Sequence, residues 1–208
     1  KINQKIVAVI FLHCFVDSPS ARGDSIFVDF HDWALETIEF FKKKNLDSSV
    51  IIKPHPGSQP ASKFFENSLK KKYNKFIWVD GAASNASIFK LKPNCGISVY
   101  GTVLHELAYH NIPAISAGTS PNIGYKFVFT AKNKKEYFDR IQKNIGKKST
   151  QRISKNEVLQ MTYCNYCLDN TKIDLVVKKM KLRNFIDENS SNSLKVFQKL
   201  YKKNQINF

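Results

Sequence analysis

The chain has 208 residues and a formal net charge of +16, with 42% hydrophobic and 12% aromatic residues. That is enough apolar material for the core of one ordinary domain, which excludes a disordered chain, and no run reaches the roughly 18 apolar residues of a membrane span. The charge is uneven: residues 1–130 carry 15 Lys/Arg against 10 Asp/Glu, or +5, and residues 131–208 carry 18 against 7, or +11.

The run KIVAVIFLHCF (5–15) is a strand to be buried on both faces, too short for a span and without the small-residue cleavage site of a signal peptide. DFHDWALETIEFFKKKN (29–45) places Phe30, Trp33, Ala34, Ile38 and Phe41 at helical spacing, with acidic residues first and lysines last, as the helix dipole favours. SSVIIK (48–53) is the second strand, SKFFENSLKKKY (62–73) a helix with Ser62 as its cap, KFIWVD (75–80) a third strand and NASIFKLK (85–92) a short helix. CGISVYG (95–101), TVLHELAYHN (102–111), IPAISAG (112–118), YKFVFT (125–130) and NKKEYFDRIQKNI (133–145) continue as strand, helix, strand, strand and helix. Beyond residue 150 the pattern gives helices near 154–168 and 193–204, with IDLVV as the one strand-like run and DENSSNS (187–193) as a break.

This alternation predicts an α/β, doubly wound, mostly parallel sheet of about five to six strands followed by C-terminal helices. No internal repeat, GxGxxG or Walker loop is present. Four scattered cysteines do not make a disulfide framework, and the Cys164–Cys167 pair has no second CxxC and no nearby His, so two ordinary thiols in a reducing compartment is the plain reading. A basic chain seeks anions, but zinc-finger spacing, RNA-binding aromatic signatures and a helix-turn-helix pattern are absent. That leaves nucleic acid behind phosphate-bearing ligands and anionic membrane.

In such a sheet ligands bind at the carboxyl ends of the strands. Three polar groups land there: His13 and Asp17 after the first strand, Lys53 and His55 after the second, and Ser98 to Thr102 after the fourth. In KPHPG, Pro54 and Pro56 each fix φ and remove a backbone donor, and Pro56 holds His55 extended. Strand punctuation alone explains the prolines, whereas an imidazole needed at a ligand explains the whole motif. In GISVYGTVLHELAYHNIPAISAG (96–118), Gly101 admits a close ligand, Thr102 can cap a helix whose free N–H groups attract an anion, and Glu106 lies about one turn in, where a carboxylate accepts from ribose hydroxyls. A cap and a solvated glutamate are the plain reading of the same residues.

The His-Pro pair, followed by Ser-x-x-Gly-Thr-x-x-x-Glu and Ile-Pro-Ala-Ile, resembles the nucleotide-sugar-binding half of GT-B glycosyltransferases of the bacterial capsule polysaccharide type. Their relatives include Kdo and sialic acid transferases that use CMP-sugars and carry an HP motif. HCFVDSPSARGDSIFVDFHDW (13–33) is similar to a segment that precedes that motif in capsule-biosynthesis proteins. The resemblance covers residues 5–145 by motif order. It implies a Rossmann-like donor domain over 1–150, with 151–208 a basic helical extension packed on it or crossing to a second domain. It also implies that His55 meets the donor phosphate and serves catalysis, that Gly101 and Thr102 cradle the phosphate, and that Glu106 holds the ribose. His13, Asp17 and Ser98 share that rim, and Lys53 and Arg22 are added as cations beside it.

GT-B enzymes have two such domains with the usual base in the other, so the chain, which begins at Lys1, reads as the C-terminal donor half of a longer protein. The expected substrate is a nucleotide-activated sugar, a CMP-linked one among the options. The expected acceptor is a saccharide or lipid-linked saccharide of a surface polysaccharide. No metal or cofactor is called for, and the expected place is the cytoplasm, at the inner face of the membrane if the basic helices DLVVKKMKLRNF and LKVFQKLYKK contact anionic lipid. A UDP-sugar epimerase, a CDP-polyol polymer transferase and a non-catalytic assembly module remain as alternatives.

Overall fold

The computed structural model describes residues 5–17, 24–119, 125–146 and 153–166. Its centre is one sheet of six strands in the order β3-β2-β1-β4-β5-β6. The strands are β1 (Ala8–Phe11), β2 (Val50–Lys53), β3 (Ile77–Trp78), β4 (Cys95–Ser98), β5 (Ala114–Ser116) and β6 (Val128–Thr130). Every pairing is parallel, with Ala8 opposite both Val50 and Cys95 and Ile97 opposite Ile115. The helices are α1 (Phe30–Lys43), α2 (Pro60–Lys72), α3 (Asn85–Phe89), α4 (Val103–Tyr109), α5 (Lys134–Ile145) and α6 (Lys155–Tyr166).

The expected doubly wound, Rossmann-like sheet is therefore present, and it is fully parallel. Alternation along β1 shows why its sequence is apolar throughout. Ala8, Ile10 and Leu12 enter one core with Trp33 and Phe41 of α1, Leu69 of α2 and Tyr137 of α5. Ile6, Val9 and Phe11 enter the other with Phe89 of α3, Leu104 and Leu107 of α4 and Val158 and Met161 of α6. A strand covered on both faces cannot alternate with polar residues. The five apolar residues expected on α1 are all buried.

Element ends differ from the sequence reading for local reasons. α1 begins where Asp29 accepts from the Asp32 N–H at 2.7 Å. α2 begins earlier than expected, with Pro60 in its first turn and Gln59 at the cap position. Ser62 is therefore not the cap: it is buried inside the helix, and its Oγ accepts from the Phe15 N–H at 2.9 Å. β3 is an edge strand of two residues, since it pairs on one side only. Cys14 and Cys95 are buried free thiols, and burial pushes the Cys95 thiol up to about 12. The Cys164–Cys167 pair, the strand-like run near 173–177 and the helix near 193–204 lie outside the residues whose side chains or backbone are described. No helix among the described residues is long and apolar enough to cross a membrane.

On the first face, Tyr137 ties α5 to α1. Its hydroxyl accepts from Trp33 Nε1 at 2.8 Å and pairs with Thr37 Oγ1 at 2.9 Å, all three residues being buried. Tyr137→Phe leaves the indole N–H without its partner and is expected to cost about 1–3 kcal/mol. A shift of the urea midpoint at unchanged m-value is the check.

Candidate functional site

Strand order reverses between β2-β1 and β4-β5, so the cleft of the sheet opens between the carboxyl ends of β1 and β4. His13 and Ser98 meet there. His13 Nε2 accepts from the Tyr100 N–H at 3.0 Å and lies 3.2 Å from Ser98 Oγ, and its ring stacks on Phe30 at 4.4 Å between centroids. An Nε2 that accepts leaves the proton of the neutral ring on Nδ1. Ser98 Oγ also lies within bonding distance of the Phe11 and Tyr100 carbonyls, at 3.1 and 3.0 Å. These two side chains hold the two loops together at the reversal.

The Tyr100 loop leads to Gly101, whose φ of +107° is a conformation that L side chains rarely adopt. A Cβ built there would meet nothing within 4 Å, so the space above it is open. Thr102 does not act as a side-chain cap: it has helical dihedrals and makes no capping bond. Glu106 is half-buried on α4, and its Oε2 accepts from Asn85 Nδ2 at 2.9 Å.

The end of β2 makes the second part of the site. Lys53 is buried and its Nζ donates to the Gly81 carbonyl at 2.7 Å. Desolvation lowers its pKa from the ordinary 10.5, while the carboxylates of Glu106 and Asp80 act in the other direction. His55, one turn further, is exposed. Its Nδ1 accepts from the Gly57 N–H at 3.1 Å, and its carbonyl accepts from the Ser58 N–H at 3.2 Å. The neutral imidazole thus carries its proton on Nε2.

Gly81 lies directly under this turn: a Cβ there would stand 3.1 Å from the His55 carbonyl oxygen and 3.2 Å from that of Pro54. The connection from β3 to α3 therefore bridges two elements. Gly81 grips the His55 turn from below, with Lys53 as a clip, and four residues later Asn85 holds the Glu106 carboxylate. The Asn85 Oδ1 is buried and has no partner. Turning the amide over would place that oxygen against the carboxylate, so an unsatisfied acceptor accompanies the donation to Glu106.

Of the residues singled out from sequence, His13 and Ser98 come together at the reversal, and Lys53 and Glu106 come together beside Asp80, Gly81 and Asn85. Asp17 is exposed, its backbone N–H donating to the Cys14 carbonyl, and Arg22 lies outside the described residues. Lys53 lies beneath the rim and does not stand on it. Sequence reasoning missed Gly81 and Asn85. The available signal was the GAASN turn ending the third strand, which by parallel topology had to reach the same edge as KPHPG. Among the described residues, no three His, Cys, Asp or Glu side chains form a group able to hold a metal ion.

These features define a doubly wound α/β domain with polar side chains gathered at its switch point. Comparison with protein-family models finds no match, and comparison with curated proteins finds none. Among solved structures the chain is similar to one described as the wall teichoic acid polymerase TagF, at TM-score 0.42 and 12% identity, over 88% of this chain and 46% of that one. The chain spans less than half the length of that neighbour.

Two outcomes follow from the bridge. Gly81→Ala forces the His55 turn to give way, so the His55 ring resonances in NMR should move and stability should fall by about 1–3 kcal/mol. At Lys53 the folded pKa lies below the unfolded one, so between them the unfolded chain binds more protons and stability gains as pH rises. Relative to Lys53→Met, the native chain should gain stability in denaturant titrations as pH is raised from neutral toward about 10.

Proposed function

We propose that the chain is the donor-binding half of a glycosyltransferase that moves a sugar from a nucleotide-activated donor to a growing surface polysaccharide. The observation that carries this reading is the bridge just described. An exposed imidazole on a Pro-flanked turn and a half-buried carboxylate are held by one intervening turn at the carboxyl edge of a parallel sheet. That edge is where such folds bind nucleotides.

His55 Nε2 is the proton-bearing atom and meets the donor phosphate. Gly101 leaves room for the phosphate to approach the backbone, and Glu106, its orientation held by Asn85, accepts from the ribose hydroxyls. In the transfer, the acceptor hydroxyl oxygen attacks the anomeric carbon as the bond from that carbon to the phosphate oxygen breaks. The bonding pair stays on the phosphate, where His55 meets the growing charge by a hydrogen bond or by giving its proton. The acceptor's proton goes to a base outside this chain, in the acceptor-binding half of the enzyme. A CMP-linked donor and a saccharide or lipid-linked acceptor complete the reading.

Calorimetric titration with CMP and with its 2′-deoxy analogue tests it. His55→Ala should weaken the nucleotide tenfold or more, roughly the worth of one charge-assisted bond, without lowering the melting temperature. Glu106→Gln should weaken the ribonucleotide and leave the 2′-deoxy analogue nearly unchanged. Absence of binding to CMP, UDP and CDP alike would favour a non-catalytic assembly module on the same fold. Equal losses for both sugars would make Glu106 a structural residue.

A further inference from the structure

The edge of the sheet opposite the candidate site carries a cluster of lysines. In a parallel sheet each covering helix runs back against the strands, so helix C-termini gather at the amino ends of the strands. Lys42, Lys43 and Lys44 end α1, Lys70, Lys71 and Lys72 end α2, and Lys75 precedes β3. All seven are exposed, and the nearby carboxylates are Glu39 and Asp47, which are half-buried. The helix dipole accounts for a lysine or two in each last turn. It does not call for three in a row at the end of each helix, and the parallel topology brings the two clusters together. Lys42 and Lys72 approach the same Glu39 oxygen, each at 3.9 Å, so one carboxylate serves lysines of both helices while Tyr73 also donates to it at 2.6 Å. The remaining ammonium groups have no carboxylate of their own among the ion pairs of the described residues, so the edge attracts anions.

The chemistry of the edge selects among anions. Its cations are all lysines, point charges without the planar fork by which arginine reads individual phosphates. Three of the ammonium groups stand over aromatic rings: Lys42 Nζ and Lys72 Nζ lie 5.5 and 4.9 Å from the centroid of Tyr73, and Lys44 Nζ lies 4.9 Å from that of Phe40. The Tyr73 ring is buried beneath them, so it offers no open face on which a nucleic-acid base could stack. Apolar bodies with ammonium heads above them suit a diffuse anionic interface. Residues 167–208 carry 9 Lys/Arg against 4 Asp/Glu, or +5, so the chain's own terminal segment has the wrong sign to cover this edge.

We propose that the lysine edge formed by the ends of α1 and α2 is a docking surface for an anionic lipid bilayer. The proposal does not depend on what the opposite rim binds, and with the bilayer on one edge of the sheet the His55 rim faces away from it, open to solutes.

The test is co-sedimentation of the full chain with phosphatidylglycerol–phosphatidylcholine vesicles and with pure phosphatidylcholine vesicles, at low and at raised salt. Two variants of equal net charge are compared. Lys43→Gln/Lys70→Gln/Lys71→Gln removes three of the seven lysines of the edge, and Lys63→Gln/Lys132→Gln/Lys135→Gln removes three exposed lysines near the other end of the fold. The native chain should bind the anionic vesicles at low salt and lose them at raised salt. The edge variant should bind at least about tenfold more weakly, since each lysine close to an anionic surface contributes several-fold, and the control variant should change by less than about twofold. Equal losses in the two variants would reduce the effect to whole-chain charge and overturn the proposal. So would binding that survives in both, binding that ignores lipid charge, or no binding at low salt. Tight binding of single-stranded RNA that the edge variant alone loses, with vesicle binding unchanged, would assign the surface to nucleic acid instead.

Discussion

The structure depends on β1 pairing with β2 on one side and β4 on the other. That placement makes β1 the strand at which the winding reverses. Chain moving through α1 and α2 builds outward to β3, and chain moving from β4 through α4 to β5 and on to β6 builds outward on the other side. A reversal in a parallel sheet leaves a gap between adjacent loops that no crossover helix covers. His13 and Ser98 sit in that gap and bond its two sides together, with Tyr100 supplying the backbone N–H. The apolar character of β1 is the cost of centrality: both of its faces lie under helices, so polar residues first appear where it leaves the ladder.

The site on the rim is organised by backbone more than by side chains. Lys53 is neither solvated nor aimed outward, and its ammonium is spent on one carbonyl, that of Gly81. Burial makes the charge expensive, and the carboxylates of Glu106 and Asp80 offset part of that cost. The result is a turn pinned from two directions, by a hydrogen bond from Lys53 and by the close approach of Gly81 to the His55 backbone. A side chain at residue 81 would disturb that contact, and the next helix then starts where Asn85 can reach Glu106. The reading of KPHPG as strand punctuation fits this arrangement, and the same prolines that end β2 shape the turn on which His55 is exposed.

Charge is sorted along the strand direction. Acidic residues stand where helices begin, as Asp32 does on α1 and Glu136 on α5, and lysines stand where α1 and α2 end. The macrodipole favours this sorting in any single helix. A parallel fold adds the individual preferences, because all covering helices point the same way, and one edge of the sheet becomes cationic as a whole.

The sequence by itself determined the class of fold and the order of its elements, since a helical period and a buried apolar run are local signals that survive without tertiary information. It also determined which residues would reach the carboxyl edge: His13 and His55 follow strands that had to run parallel, Ser98 ends one, and Glu106 lies on the helix that follows it. It did not reveal that Ser62 is an interior partner of Phe15, that Thr102 makes no cap, or that Lys53 lies under the rim. Nor did it single out Gly81 and Asn85, which look like any turn glycine and any helix-opening asparagine. Only the tertiary structure decided these points. Their roles come from hydrogen bonds and close approaches between segments about twenty to thirty or more residues apart, and the direction in which a side chain leaves the end of a strand is set by the neighbours it meets there.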